Sequence, residues 1–301
     1  MKKELMDQLS SVIVNGHVRM NEPMSAHTTF KTGGVADVFV EPSGIEELKE
    51  TLKLLQGESF YLIGNGSNLL VSDDGLRGVA LHLASGFGDI TVKENTLICG
   101  AAATLSQIAR TALDNALSGF EFAAGIPGSL GGAIVMNAGA YDGEMKQVVK
   151  RVTLMNYAGE IVEKDAEEMR FSYRHSILKE QQWIVLEAVI ALEAGDKRKI
   201  KEKMDELAQK RREKQPLEYP SAGSTFKRPE GYFAAKLIED AGLKGFRIGG
   251  AQVSPKHAGF VINEHNATSA DIYALIKEIQ RRVEENAGVA IETEVICLGN
   301  F

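Results

Sequence analysis

Between Phe122 and Tyr141 the chain carries no charged side chain, although one residue in four is charged over its 301 residues. Five glycines and Pro127 fall inside that run, in "GIPGSLGGAIVMNAGA" (125–140). A stretch so bare and so poor in Cβ atoms must lie against something that charge would spoil. A membrane span needs about 20 apolar residues. Pro127, Ser129, Asn137 and five glycines make a poor lipid-facing helix, and no comparable segment occurs elsewhere. A linker would be rich in serine and charge, whereas Ile126, Leu130, Ile134, Val135 and Met136 gain by burial. Two readings stay open. One is a tightly packed turn with no ligand; the other is a backbone surface whose successive N–H groups converge on an anion without a lysine.

The remaining chain is that of an ordinary globular protein long enough for two domains. Its net charge of −7 argues against non-specific nucleic-acid binding. Cys99 and Cys297 show no metal-ligand spacing and read as thiols of a reducing compartment, with a single disulfide still open. No metal is expected. Glu4 and Asp7 interrupt the only stretch that resembles a secretory signal, so the expected location is the cytoplasm.

Strand-like and helical patterns alternate. "VADVFVEP" (35–42) predicts a strand. A helix follows, with Ser43 as its cap, Glu46 closing a capping box and Ile45, Leu48, Leu52 and Leu55 on one face. "FYLIG" (60–64) predicts a buried strand and Thr104 caps another helix, Leu105–Ala116. Strands are predicted at 150–156 and 183–193. The charged segment 195–216 holds nine basic and five acidic residues around the stripe Ile200, Met204, Leu207 and Ala208. Pro216 and Pro220 end that helix and mark a domain boundary. Beyond them come a strand pair around "FRIGGAQVS" and "GFVIN", a helix capped by Thr268 or Ser269, and a closing strand "VAIETEVICLG".

"IGNGSNLL" (63–70) is a second glycine loop after a strand, but Leu69 stands where a dinucleotide fingerprint requires a third glycine. Two such loops some sixty residues apart suit one extended ligand with a pyrophosphate at its middle. "LIGNGSNLL", "AGIPGSLGGAIVMNAGAYDGE", "FSYRHS", "AGSTFKRP" and "IETEV", in that order, resemble the bacterial UDP-N-acetylenolpyruvoylglucosamine reductases, in the shorter form without an insertion near Tyr173. The resemblance implies an α+β fold. A two-part FAD-binding domain of the vanillyl-alcohol-oxidase type is expected over 1–205, with lobes 1–57 and 58–205. A smaller substrate domain is expected over 206–301, its last strand free to return to the first domain. It implies a monomeric flavoenzyme that takes NADPH and UDP-N-acetylglucosamine enolpyruvate and makes UDP-N-acetylmuramate for peptidoglycan.

By the same resemblance, FAD is held by Ile63, Gly64, Asn65, Gly66, Ser67 and Asn68 at the pyrophosphate. Gly125, Ile126, Pro127, Gly128, Ser129, Gly131, Gly132, Ala133, Asn137, Ala138 and Gly139 line the ribityl chain and the flavin. A flavin wants a dry, close backbone, and a diphosphate can take its hydrogen bonds from main-chain N–H groups, which accounts for the missing charge. Ser67 and Asn68 stand where related oxidases carry a flavin-linking histidine, so the cofactor is expected to be non-covalent. The catalytic set is Arg174, Ser224 and Glu294. Hydride addition to the enolpyruvyl methylene carbon builds charge on the conjugated carboxylate, which suits the planar fork of Arg174. Ser224 is the candidate proton donor. Glu294 must be protonated or paired beside that charge, so its pKa is expected to be raised. Tyr173, Lys214, Arg228 and Lys244 are expected to hold the UDP moiety; Arg228 stands where the longer enzymes have Asn. The rival readings are an FAD-dependent oxidase of a small alcohol or hydroxy acid and a UDP-sugar-binding module without chemistry.

Overall fold

The computed structural model describes residues 2–301. Helix α1 (Lys2–Val12) and strand β1 (His17–Pro23) precede β2 (Val35–Glu41), whose five inner residues are buried without alternation, as in a strand covered on both faces. In α2 (Ile45–Leu54) the N-cap is Gly44, and Glu47 does the work expected of Glu46. Its carboxylate accepts from Ser43 N at 2.8 Å, Val14 N at 2.9 Å and Asn15 N at 2.7 Å. Glu46 pairs with Lys49 at the surface, and Ile45 is exposed while Leu48, Leu52 and Leu55 are buried. β3 (Phe60–Ile63), β4 (Leu69–Val71) and β5 (Leu76–His82) follow. β3 is the edge of the sheet β1-β2-β5-β3, so only Ile63 of it is buried and the expected fully buried strand is not found.

β6 (Ile90–Lys93) and β7 (Thr96–Gly100) lead to α3 (Leu105–Asp114), which has the predicted cap: Thr104 and Gln107 form a reciprocal capping box. Ala116 lies beyond the helix, in a left-handed conformation at φ 53°. After β8 (Leu117–Ser118) the uncharged run builds α4 (Leu130–Val135) and β9 (Gly139–Ala140), and β10 (Gly143–Glu144) follows it. β11 (Val149–Asn156), β12 (Ile161–Asp165) and β13 (Trp183–Ala191) complete an antiparallel sheet of order β12-β11-β13-β7-β6. β14 (Glu193–Ala194) pairs with β8. The charged segment is α5 (Lys197–Lys214), with only Ile200 and Leu207 buried. Then come α6 (Ala234–Asp240), β15 (Arg247–Ile248), β16 (Ala251–Val253), β17 (Val261–Asn263) and α7 (Ser269–Ala287). Thr268 and Asp271 cap α7, and its predicted inward residues Ile272, Leu275, Ile276, Ile279 and Val283 are fully buried. Of the expected closing strand only β18 (Ile296–Leu298) is regular, pairing in parallel with β4.

The chain divides into two compact units: residues 1–20, 38–65 and 78–210 form one, and 21–37, 66–77 and 211–301 the other. This differs from the expected division at 205/206. Two short segments far from the C-terminal part in sequence belong with it, because Phe30 and Leu70 bury in the same core as Phe226, Ile276 and Val295. β18 therefore joins β4 inside the second unit. Nothing in the local sequence of 21–37 or 66–77 announces that partner.

Both cysteines are free. Burial, helped by the charge of Glu187, pushes the Cys99 thiol up to about 12, and burial also raises that of Cys297. Since the thiolate is the nucleophile, Cys99 is not expected to react with a thiol reagent near neutral pH until the protein is unfolded. Rapid labelling of native protein, read by mass, would contradict the packing around Cys99.

Candidate active site

In the first unit, the glycines of the uncharged run divide into two kinds. Gly139 packs inward: a Cβ there would sit 2.5 Å from the Gly143 carbonyl oxygen. Gly131 would touch Ala101, and its N–H donates to the Ala101 carbonyl at 2.9 Å. Gly125, Pro127 and Gly132 instead lie exposed, and a Cβ on Gly132 would meet only the Ser129 hydroxyl at 3.6 Å. The packed-turn reading thus holds for part of the run, and a bare outward surface for the rest. The two glycine loops meet here, since a Cβ on Gly64 would approach the Ser129 hydroxyl to 2.8 Å.

In the second unit, Gly66 (φ 61°) leaves no room for a side chain: a Cβ would fall 1.9 Å from the His27 carbonyl oxygen. The Gly66 carbonyl accepts from Thr29 N at 3.2 Å and so fixes the loop. Among the described residues, nothing accepts from the N–H groups of residues 64–68. Five consecutive main-chain donors without internal acceptors fit a diphosphate. Ile63 itself is buried in the core and offers backbone alone. Two residues expected at the cofactor have their amides engaged elsewhere. Asn68 Nδ2 donates to the Glu294 carbonyl at 3.0 Å. Asn137 is fully buried, and its amide is taken up by Glu144, Ser172 and Lys146. Its side chain is therefore not a cofactor contact.

Arg174 stands in a two-residue hairpin turn of the first unit. Ser172 and His175 close it with two hydrogen bonds of 3.1 Å. Arg174 has φ 53°, a left-handed conformation that costs a non-glycine residue about 1–2 kcal/mol. An arginine where glycine would be relaxed suggests that the guanidinium is wanted. That group lies 5.2 Å from the ring centroid of Tyr173, which is 54% exposed.

Ser224 and Glu294 belong to the second unit and to one short antiparallel pairing. The Thr225 carbonyl accepts from Glu294 N at 2.8 Å, Lys227 N donates to the Glu292 carbonyl at 2.9 Å, and Phe226 bridges Thr293. Thr225 is fully buried, and its hydroxyl accepts from Val261 N at 3.0 Å. Thr225 and Phe226 are both buried, whereas Ser224 just before them is exposed. Nothing in the local sequence marks Thr225 for this anchoring role. Glu294 is half-buried.

The expected UDP-binding residues are exposed and partly engaged. Lys244 pairs with Glu239 at 3.2 Å, Arg228 lies 4.0 Å from the Phe233 ring centroid, and Lys214 ends α5. A polar cavity of about 520 Å³, lined by Lys31, Tyr219 and Asn266 among others, contains none of the predicted residues. Among the described residues, no helix is long and apolar enough to cross a membrane, and no group of three or more His, Cys, Asp or Glu could hold a metal ion.

Known proteins were compared with this chain. The FAD binding domain family matches residues 36–165, and the family "UDP-N-acetylenolpyruvoylglucosamine reductase, C-terminal domain" matches residues 215–298. The UDP-N-acetylenolpyruvoylglucosamine reductase of Caldanaerobacter subterraneus subsp. tengcongensis is 53% identical over 99% of both chains. That of Clostridium kluyveri is 48% identical over 94% of this chain and 93% of its own. The crystal structure of the Thermus caldophilus reductase superposes with a TM-score of 0.82 at 33% identity, covering 95% of this chain and 99% of that one. With a matching FAD-binding region, a matching C-terminal domain and relatives of this identity over almost the whole chain, the protein belongs to the UDP-N-acetylenolpyruvoylglucosamine reductase family.

Proposed function

We propose that this chain reduces UDP-N-acetylglucosamine enolpyruvate to UDP-N-acetylmuramate with NADPH, in the synthesis of peptidoglycan precursors, as a cytoplasmic monomer. The observation that carries the reading is near-full-length identity of about half to named reductases, together with an Arg174 held in a strained turn. FAD, when bound, would supply the hydride chemistry that links NADPH to the methylene carbon of the enolpyruvyl group. The amides of residues 64–68 would hold its diphosphate, and the exposed backbone around Gly125 and Gly132 would lie along its flavin end.

Arg174 binds the substrate carboxylate and offsets the negative charge that grows on it as the hydride arrives, with about 1.5–3 kcal/mol for each charged hydrogen bond. Ser224 delivers a proton to the α-carbon, turning the C=C bond into CH–CH₃; the hydroxyl is restored from solvent. Glu294 flanks that carbon in protonated or hydrogen-bonded form, since a bare carboxylate would oppose the developing charge. Tyr173, Lys214, Arg228 and Lys244 hold the UDP end. An oxidase role is disfavoured by the absence of a histidine at 67 or 68 and by the relatives' names.

The purified protein is expected to be yellow, to release its colour into the supernatant on acid precipitation, and to consume NADPH beyond the one equivalent that reduces its flavin only with the enolpyruvyl substrate. Flavin left in the pellet would end the non-covalent assignment. A colourless protein that takes up no FAD would end the proposed activity.

A further inference from the structure

We infer that Asn137 and Ser176 are positioning residues for Arg174, which fasten the Tyr173–Arg174 turn to the end of α4. The inference rests on reading Arg174 as the group that binds the substrate carboxylate. A two-residue turn on the surface is held by its own two hydrogen bonds only, and a long, flexible arginine side chain on it would sample many positions. Here both ends of the turn are tied to the same short segment. Before the turn, the Ser172 carbonyl accepts from His175 N and, at 3.0 Å, from Asn137 Nδ2. After it, the Ser176 hydroxyl donates to the Val135 carbonyl at 2.9 Å. Asn137 and Ser176 are both completely buried.

Asn137 suits that place for two reasons. It follows α4 in a left-handed conformation, φ 41°, which asparagine tolerates better than most residues. Its N–H returns to the Ile134 carbonyl at 3.2 Å while Ala138 N reaches the Ala133 carbonyl at 2.8 Å, the pattern that closes a helix. With the backbone so used, the side chain is free to grip three other groups: the carboxylate of Glu144 at 2.7 Å, the N–H of Lys146 at 2.9 Å and the Ser172 carbonyl. The Val135 carbonyl is one of those left without a helical partner at the end of α4, and the Ser176 hydroxyl supplies it. The outward glycine surface and the Arg174 turn thereby share one support, and the guanidinium is set relative to that surface by side chains that touch no ligand.

Asn137→Gly keeps the left-handed backbone and removes the amide; Ser176→Ala removes one hydrogen bond from the other end. Each is measured as FAD-loaded enzyme, alone and combined with Arg174→Ala. The readouts are stopped-flow rates of the two half-reactions and calorimetric affinity for UDP-N-acetylmuramate, which needs no turnover. Displacement of a catalytic group by about 1 Å can cost on the order of 10²-fold. Asn137→Gly is expected to slow reoxidation by the enolpyruvyl substrate to that extent, and Ser176→Ala about tenfold, a smaller share of the same support. Both should weaken product binding and leave reduction by NADPH unchanged. In the Arg174→Ala background neither should cause further loss. An equal loss in that background would overturn the inference, as would a loss confined to the NADPH half. If Asn137→Gly does not fold, Ser176→Ala carries the test by itself. Wild-type turnover and product affinity in Arg174→Ala alone would instead remove the reading of Arg174.

Discussion

Ser224→Ala is expected to split the catalytic cycle, leaving reduction by NADPH at its normal rate and slowing reoxidation by the enolpyruvyl substrate about 10²–10⁴-fold. The range is what a positioned general acid contributes, and the other hydroxyl of the "AGSTF" segment, that of Thr225, cannot replace it because it is buried against Val261 N. The substitution removes one exposed oxygen, so the fold should be untouched and the melting temperature unchanged. Stopped-flow absorbance reads both halves on one sample. Reoxidation as fast as in the wild type would mean that another group, or water, gives the proton. A collapse of the NADPH half would mean that the serine supports the cofactor.

Arg174→Lys should cost about 10- to 10²-fold in reoxidation by substrate, the equivalent of one charged hydrogen bond of about 1.5–3 kcal/mol. An ammonium is a point charge and cannot replace a planar two-pronged donor. Stability should not change, because lysine meets the same left-handed backbone penalty as arginine. Arg174→Gly separates the two properties. With φ 53° no longer strained, that variant should be about 1 kcal/mol more stable and nearly inactive on the enolpyruvyl substrate. Denaturant titration and the same stopped-flow assay report the pair. A glycine variant that is both less stable and active would mean that the turn, and not the guanidinium, is what position 174 contributes.

Periodicity was enough to find what periodicity controls. The inward face of α7, the Thr104 cap and the strand at 35–41 are all local patterns, and the structure has them. Misreadings arise where a distant partner decides. Glu47, one residue past the expected Glu46, closes the N-terminus of α2 because it can also reach Val14 and Asn15, thirty-odd residues away. "FYLI" has the composition of a buried strand but sits at a sheet edge, a position set by strand order. The segments 21–37 and 66–77 join the C-terminal unit through Phe30 and Leu70, whose hydrophobicity names no partner. At the candidate site, glycine-rich spacing and the "SYRHS", "AGSTF" and "IETEV" motifs are what single out the proposed residues. That the side chains of Asn68 and Asn137 both brace the protein was not legible, because holding a ligand and holding the backbone demand the same amide. Only what lies opposite each decides it: the Glu294 carbonyl for Asn68, Glu144 and Ser172 for Asn137.

The contrast between Ser224 and Thr225 also bears on how resistance to an inhibitor of this enzyme could arise. Thr225 is held through its backbone by Gly259 and Glu294 and through its hydroxyl by Val261 N, so its replacement leaves a buried N–H without its acceptor. Ser224 is structurally dispensable but, on the proposed mechanism, chemically required. A compound that takes its affinity from the main chain at 224–226 would therefore press on positions where escape costs either folding or turnover. One that leans on the exposed, separately paired Lys244 would meet no such barrier, since an outward lysine in a surface ion pair can change at little expense to the fold.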